Sequence, residues 1–266
     1  MTRTQLVEQI FLKRSYLCIG LDADFTKIPK HLFSFADPVF EFNKQIIDAT
    51  KDYCVSYKMN TAFYEAMGVK GWETLQRTVN YIPSTHFKIA DAKRGDIGNT
   101  SSQYAKAFFE SFSYDAVTVT PYMGEDSVKP FLEFKNKWTI VLGLTSNSGA
   151  KDFELQKTGN ELLYERVLKT VSQWGTTENL MFVIGATQAD EFRNIRKIIP
   201  EHFLLVPGIG AQGGSLNEIS SKGMIKDCGL MVNVSRAVIY ASGKEDFAEQ
   251  AKLMAKGYQE EMRRYF

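Results

Sequence analysis

The chain has 266 residues, 44% of them hydrophobic, which suits one barrel-sized domain or two small ones and excludes a disordered or fibrous protein. Lysine and arginine (32) nearly balance aspartate and glutamate (31), so no overall field attracts nucleic acid or an anionic membrane. Any anion must therefore be bound by a local cluster of residues.

Short apolar runs rich in strand-forming residues alternate along the chain with stretches of helical spacing. Leu163, Val167 and Val171 illustrate the helical spacing, as do Phe247 and Ala251 near the end of the chain. The order strand then helix repeats eight times. The eight predicted strands cover residues 16–22, 53–58, 87–91, 116–120, 138–144, 180–185, 203–206 and 230–234.

Continuous apolar runs are typical of parallel strands that are covered by helices. Eight strand–helix units in about 250 residues favour an α/β fold, a closed (β/α)8 TIM barrel, with a doubly wound open sheet as the alternative. No linker-like segment interrupts the series, so we predict a single domain over residues 1–266. The loops after the strands of such a barrel converge, and we expect the active site at this carboxyl end.

Charged residues are concentrated at the ends of the first three predicted strands. Asp91 and Lys93 have the period-two spacing that directs both side chains to one face, and Asp96 follows them. A barrel would bring Lys58 and Asp22 close to this cluster, and pairing would offset the desolvation of the charges. The alternative is an ordinary polar turn whose charges point into water.

The seventh and eighth predicted strands are followed by a candidate phosphate site. A glycine-rich turn spans residues 207–214, a short helix is predicted from Ser215, and Arg236 follows the eighth strand. Glycines let backbone N–H groups approach an anion, and a guanidinium can grip a phosphate with two hydrogen bonds. Taken alone, such a turn is more typical of a structural bend than of a phosphate site, but together with Arg236 it favours phosphate binding. The segments 121–124 and 145–149 could read the edge of a heterocycle or form simple turns.

The cysteines and histidines indicate no metal centre or disulfide framework. Cys18, Cys54 and Cys228 are far apart and form no C-x-x-C pair, which suits a reducing cytoplasm. His86 and His202 precede their strands, so we interpret them as structural or exposed. No apolar run approaches the ~18 residues of a membrane span, and we predict a cytoplasmic protein.

Several segments together resemble the orotidine 5'-phosphate decarboxylase family. They are LCIGLDAD at 17–24, YKMNTAFYE at 57–65, FKIADAKRGDIGNTS at 87–101, VTVTPYMGEDS at 117–127, LTSNSGA at 144–150, PGIGAQGG at 207–214 and VNVSRAVIY at 232–240. The D-x-K-x-x-D-I run after a strand is the most specific of these. The resemblance implies decarboxylation of orotidine 5'-monophosphate to uridine 5'-monophosphate in pyrimidine biosynthesis, without a metal or cofactor.

The resemblance also implies roles for individual residues. Asp22 would bond a ribose hydroxyl, Lys58 would link the ribose to the charged cluster, Asp91 would crowd the substrate carboxylate, and Lys93 would protonate C6. Asp96, Ile97 and Thr100 would enter the neighbouring site of a homodimer. Ser146 would contact the pyrimidine. The implied phosphate-side residues are Pro207, Gln212, Gly213, Ser235 and Arg236.

The sequence leaves two other functions open. One is a magnesium-dependent sugar-phosphate lyase of the same superfamily, in which D-x-K-x-x-D holds the metal ion. The other is a non-catalytic nucleotide-binding barrel. The segments at 121–124 and 145–150 and the surroundings of Lys58 favour the pyrimidine enzyme over the lyase, and the intact charged cluster disfavours a barrel without activity.

Overall fold

Eight parallel strands close into a barrel in the structure, a computed structural model that describes residues 1–210 and 213–266. The strands are β1 (Leu17–Gly20), β2 (Ser56–Asn60), β3 (Phe87–Arg94), β4 (Ala116–Val119), β5 (Trp138–Leu144), β6 (Lys157–Thr158), β7 (Glu161–Leu162), β8 (Leu180–Ile184), β9 (Phe203–Pro207) and β10 (Leu230–Val234). Around the barrel the strand order is β1-β10-β9-β8-β5-β4-β3-β2, and β2 pairs with β1. The predicted (β/α)8 barrel is confirmed, and the open sheet is excluded.

Helices follow the barrel strands and surround the barrel. Side chains cap several of them: the oxygens of Thr2, Asp37 and Ser215 accept hydrogen bonds from backbone N–H groups of the first turns that follow. The α-helices of the described residues are α1 (Arg3–Lys13), α2 (Pro38–Thr50), α3 (Thr61–Glu65), α4 (Gly68–Tyr81), α5 (Gly98–Lys106), α6 (Glu125–Leu132), α7 (Leu163–Val171), α8 (Phe192–Ile198), α9 (Leu216–Gly223), α10 (Arg236–Ile239) and α11 (Phe247–Met262).

The interior of the barrel changes from aromatic to polar along its axis. At the amino end, Trp138 packs edge-on against Phe87 and Phe203, and all three rings are buried. At the carboxyl end, the register pairs Lys58 of β2 with Gly20 of β1. Because paired residues of parallel strands project to the same side, the polar groups at this end share the interior face.

Strand β3 contains an irregularity close to the charged cluster. Its pairing with β4 shifts between Ala90, opposite Val117, and Arg94, opposite Val119. Over this interval β3 has two more residues than β4. Lys93 within this bulge has a φ of 47°, in the left-handed region. The strand therefore continues three residues beyond the predicted end at Asp91.

The loop after β5 carries the antiparallel hairpin β6–β7, which the sequence reading did not predict. Its turn consists of Gly159 and Asn160, and Gly159 has a φ of 69°. A Gly-Asn pair between two short strands is a known hairpin signal. In the described residues, no helix is long and apolar enough to span a membrane.

Candidate active site

Lys58, Asp91 and Lys93 form a continuous chain of ion pairs at the carboxyl end of the barrel. Lys58 Nζ lies 2.8 Å from Asp91 Oδ2, and Lys93 Nζ lies 2.5 Å from Asp91 Oδ1. The Lys58 side chain is 4% exposed, whereas the Lys93 side chain is 49% exposed. One ammonium group is therefore fixed in the interior, and the other reaches the solvent-accessible side.

Lys58 and Asp91 stabilise each other in their ionised forms. Burial opposes the ionisation of Asp91, but the positive charges and hydrogen bonds of Lys58 and Lys93 outweigh it and hold the pKa of Asp91 below its ordinary value. Burial likewise opposes the charge of Lys58, but Asp22 and Asp91 raise the pKa of Lys58 above its ordinary value. The site therefore keeps a carboxylate between two ammonium groups at neutral pH.

Asp22 forms a longer ion pair with Lys58. Its Oδ1 is 3.7 Å from Lys58 Nζ and accepts a hydrogen bond from the backbone N–H of Asn60 over 3.2 Å. The side chain is 17% exposed. One carboxylate face of Asp22 is thus held against β2, close enough to Lys58 to share a ligand with it.

A cavity of about 240 Å³ opens over the charged chain. Leu142, Val183 and Leu205 give it an apolar wall, and the ion pairs give it a charged one. Ligand cavities typically combine an apolar lining with a few placed polar groups that orient the ligand. The cavity is lined by Lys58, Asp91, Lys93, Leu142, Thr145, Ser146, Asn147, Val183, Leu205 and Pro207.

Ser146 is brought to this cavity by a tightly packed loop. A side chain at Gly185 would place its Cβ 2.7 Å from the backbone nitrogen of Ser146, so the close approach requires glycine there. Glu154 accepts hydrogen bonds from the N–H and the hydroxyl of Thr145, over 2.6 and 2.8 Å. The loop is therefore held by its packing against Gly185 after β8 and by its hydrogen bonds to Glu154.

The candidate phosphate residues lie at the ends of β9 and β10. Pro207 ends β9 and lines the cavity, and Gly213 has a φ of 85° in the turn that follows. Ser235 donates from its hydroxyl to the carbonyl oxygen of Gly20 over 3.0 Å, and the exposed Arg236 begins α10. Gln212 lies outside the described residues.

The three residues predicted to enter a neighbouring site lie apart from the Lys58–Asp91–Lys93 ion pairs of the same polypeptide. They are Asp96, Ile97 and Thr100. Asp96 Oδ1 accepts the backbone N–H of Ile97 over 2.8 Å, and no ion pair of Asp96 occurs among residues 1–210 and 213–266. Ile97 is 58% exposed, and Thr100 is also exposed at the start of α5. None of these three residues lines the cavity of the same chain.

Comparisons with known proteins agree on one family. A sequence model described as "Orotidine 5'-phosphate decarboxylase / HUMPS family" matches residues 15–251. The chain belongs to this family. It is 60% identical to the orotidine 5'-phosphate decarboxylase of Flavobacterium johnsoniae over 265 residues, which cover 98% of this chain and 97% of the relative. It is 57% identical to the Bacteroides fragilis protein of the same name, over 98% and 97% of the two chains.

Solved structures lead to the same family. The putative orotidine-monophosphate decarboxylase from Toxoplasma gondii is 33% identical, with a TM-score of 0.87 over 98% of this chain and 96% of that chain. The resemblance stated from the sequence is therefore confirmed, and so is the prediction of an enzyme of the carboxy-lyase class.

In this member of the orotidine 5'-phosphate decarboxylase / HUMPS family, the histidines lie outside the cavity. His86 and His202 are buried near the amino ends of β3 and β9. Burial and nearby positive charge lower the pKa of each to about 4. Across the described ranges, no group of three or more histidine, cysteine, aspartate and glutamate side chains has the arrangement of a metal site.

Two residues that shape the site were not predicted from the sequence. Thr118 of β4 donates to Asp91 Oδ1 over 3.1 Å, and Glu154 holds the loop that carries Ser146. A threonine inside an apolar run indicates only a strand, and Glu154 is nine residues from its partner Thr145. The inward register of Thr118 beside the charged cluster is the one signal that could have identified it.

Proposed function

We propose that the chain converts orotidine 5'-monophosphate to uridine 5'-monophosphate and carbon dioxide, a step of pyrimidine biosynthesis. The observation that supports this most is the Lys58–Asp91–Lys93 chain of ion pairs beneath a cavity that also presents Ser146. Full-length relatives named as orotidine 5'-phosphate decarboxylases add to this support.

The charge arrangement suits the chemistry of this reaction. Loss of carbon dioxide from C6 leaves a carbanion in the plane of the ring, with no π system to delocalise it. Fixed charges in a site shielded from water are an effective means to stabilise such a species. Because Asp91 stays ionised, its carboxylate repels a substrate carboxylate placed beside it, and Lys93 can neutralise the carbanion and deliver a proton to C6.

Binding of the remote parts of the nucleotide completes the mechanism. Enzymes of very slow reactions lower the barrier by about 20 kcal/mol or more, which exceeds what one ammonium group supplies. Grip on the phosphate can hold the substrate carboxylate against Asp91, so that binding energy far from C6 acts at C6. We assign Asp22 and Lys58 to the ribose and Ser146 to the pyrimidine. The residues assigned to the phosphate side are Pro207, Gln212, Gly213, Ser235 and Arg236.

A homodimer would complete each site with residues of a second copy. Ile97, which follows Asp96, is 58% exposed, and Tyr122 (88%) and Met123 (44%) expose apolar surface in the loop after β4. A Cβ on Gly95 would lie 3.5 Å from Met123 Cε, so this loop is close to the segment that carries Asp96. Surface of this kind favours contact with another chain. We propose that Asp96, Ile97 and Thr100 enter the partner's cavity there, where Asp96 adds a second carboxylate to the charge network.

The whole chain, residues 1–266, would act as one barrel domain with its active site at the carboxyl ends of the strands. We propose a cytoplasmic location, which the three free, buried cysteines support.

The direct test follows the absorbance of orotidine 5'-monophosphate during incubation with the enzyme in chelator-treated buffer. We expect the substrate absorbance to fall as fast as it does in untreated buffer. Uridine 5'-monophosphate should appear in an amount equal to the substrate consumed. Dependence of the rate on added Mg²⁺, with turnover of a sugar phosphate instead, would indicate the lyase. Binding of the nucleotide without turnover would indicate a barrel that has lost catalysis.

The role of the phosphate is tested with orotidine, the nucleoside that lacks it. If remote binding energy is used at C6, kcat/KM for orotidine is lower than for the nucleotide by at least about a thousandfold. A competition assay with uridine 5'-monophosphate provides the control for site integrity. Turnover of the nucleoside close to that of the nucleotide would contradict this part of the mechanism.

A further inference from the structure

The hydroxyl of Thr118 joins the two residues to which the reaction is assigned. Thr118 is fully buried on β4, and its Oγ1 donates to Asp91 Oδ1 over 3.1 Å. The same oxygen accepts the backbone N–H of Lys93 over 2.9 Å. We propose that Thr118 is a positioning residue that sets the placement of the Lys93 ammonium against the Asp91 carboxylate. This inference rests on the proposed function.

The direction of both hydrogen bonds follows from the chemistry of the partners. The backbone N–H of Lys93 can only donate, so Thr118 Oγ1 accepts there. The hydroxyl proton is then free to point to Asp91, whose ionised oxygen can only accept. A valine has nearly the same shape as threonine but can form neither bond, and a serine can form both.

The bulge in β3 explains why a side chain is needed at this point. The register with β4 resumes only at Arg94, so the regular ladder of backbone hydrogen bonds is interrupted between Ala90 and Arg94. Lys93 also adopts a left-handed conformation, which is unfavourable for a residue with a Cβ. The hydroxyl of Thr118 replaces the missing ladder partner and holds this conformation.

Loss of the hydroxyl would therefore act on the bulge rather than on the rest of the cavity. Without it the Lys93 N–H loses its hydrogen-bond partner within the protein, and the bulge relaxes toward another arrangement. A displacement of about 1 Å at a reacting group can slow a reaction by about a hundredfold. The groups assigned to the ribose, pyrimidine and phosphate lie on other strands and loops, so nucleotide binding should change little.

The chain offers a matched control on the neighbouring strand. Thr139 of β5 is also fully buried, but its Oγ1 has no hydrogen-bond partner in the described part of the chain. It pairs in register with Val117, so it faces the opposite side from Thr118. Thr139→Val removes a buried hydroxyl without touching the charge network.

The experiment compares Thr118→Val, Thr118→Ser and Thr139→Val with the parent enzyme. We expect Thr118→Val to lower kcat for orotidine 5'-monophosphate by about 10- to 100-fold, while the Kd for uridine 5'-monophosphate stays within about threefold. Thr118→Ser should retain kcat within about threefold, and Thr139→Val should match the parent. Hydrogen–deuterium exchange at the Lys93 amide should be faster in Thr118→Val alone.

Three results would overturn the inference: an unchanged kcat in Thr118→Val, an equal loss in Thr118→Ser, or unchanged exchange at Lys93. If Thr118→Val does not fold, Thr118→Cys takes its place, and its weak donor and acceptor should give an intermediate loss. A parent enzyme that does not decarboxylate the nucleotide would refute the proposed function, whereas the exchange measurement would still test the positioning of Lys93.

Discussion

Both ends of the barrel bury positive charge, but they stabilise it with different partners. At the carboxyl end, Lys58 and Lys93 pair with the carboxylate of Asp91 at 2.8 and 2.5 Å. At the amino end, Lys13 Nζ donates to the carbonyl oxygens of Lys51 and Cys54 over 2.7 and 2.9 Å. The Arg196 guanidinium there likewise donates to four backbone carbonyls, of Ile199, His202, Gly223 and Gly229.

The difference separates a structural use of buried charge from a chemical one. A carbonyl oxygen is neutral and fixed by the backbone, so the cations at the amino end tie loops and strands together. At the carboxyl end, an entering anion can compete with the Asp91 carboxylate for the two ammonium groups. Under the proposed function, the same residue types serve stability at one end of the barrel and reactivity at the other, and variants should separate the two.

The largest effect is expected for Lys93→Ala at the carboxyl end. Loss of the cation and proton donor should lower kcat by at least about a thousandfold, because general-acid and electrostatic terms are lost together. Binding of uridine 5'-monophosphate should stay measurable by calorimetry. Lys129→Ala, which removes an exposed ammonium on α6, is the control and should keep full activity. Substantial residual turnover in Lys93→Ala would remove Lys93 from its assigned role.

At the amino end, Arg196→Met should reduce stability rather than chemistry. Burial lowers the pKa of Arg196 to about 10, and its loss leaves four carbonyl oxygens with one partner fewer. We expect the free energy of unfolding to fall by about 3 to 5 kcal/mol, with kcat of the folded enzyme retained. Urea titration and activity at 25 °C measure the two quantities. Arg193→Met, an exposed position on the same helix, should differ from the parent by less than about 0.5 kcal/mol.

A smaller effect is expected from His86 when the pH falls. Its Nε2 lies 2.8 Å from Lys13 Nζ, and burial, followed by the Lys13 charge, lowers the pKa of His86 from 6.5 to about 4. Protonation therefore favours the unfolded chain, so this contribution is present above pH 6.5 and is lost as the pH falls toward 4. The loss is on the order of 2 to 3 kcal/mol.

The measurement for His86 is the free energy of unfolding between pH 4 and pH 7. His86→Gln should flatten this dependence, whereas His31→Gln, at an exposed position, should leave it as in the parent. An equal slope in His86→Gln and the parent would show that the pH dependence arises elsewhere.

The architecture and the central charges could be predicted because they depend on simple patterns. Apolar runs identify the strands, since buried parallel strands have few polar residues. Closure of the barrel then brings the strand ends together, and so the contact of Lys58 with Asp91 follows from their positions. The spacing of Asp91 and Lys93 does not predict the bulge between them, because a left-handed φ is not expected for a lysine.

Other parts of the site depend on contacts that leave little trace in the sequence. Thr118 differs from its buried neighbours only in one hydroxyl, and its importance depends on the register of β4 against the bulge. The glycine at 185 looks like an ordinary strand end, but it allows the Ser146 loop to pack closely. Such features depend on three-dimensional proximity, which neither composition nor periodicity encodes.

Phe87, Trp138 and Phe203 form a layer of buried rings at the amino end of the barrel interior. These rings lie between a nucleotide in the cavity at the carboxyl end and the amino end of the barrel. Carbon dioxide and the product nucleotide must therefore leave by the route that the substrate took.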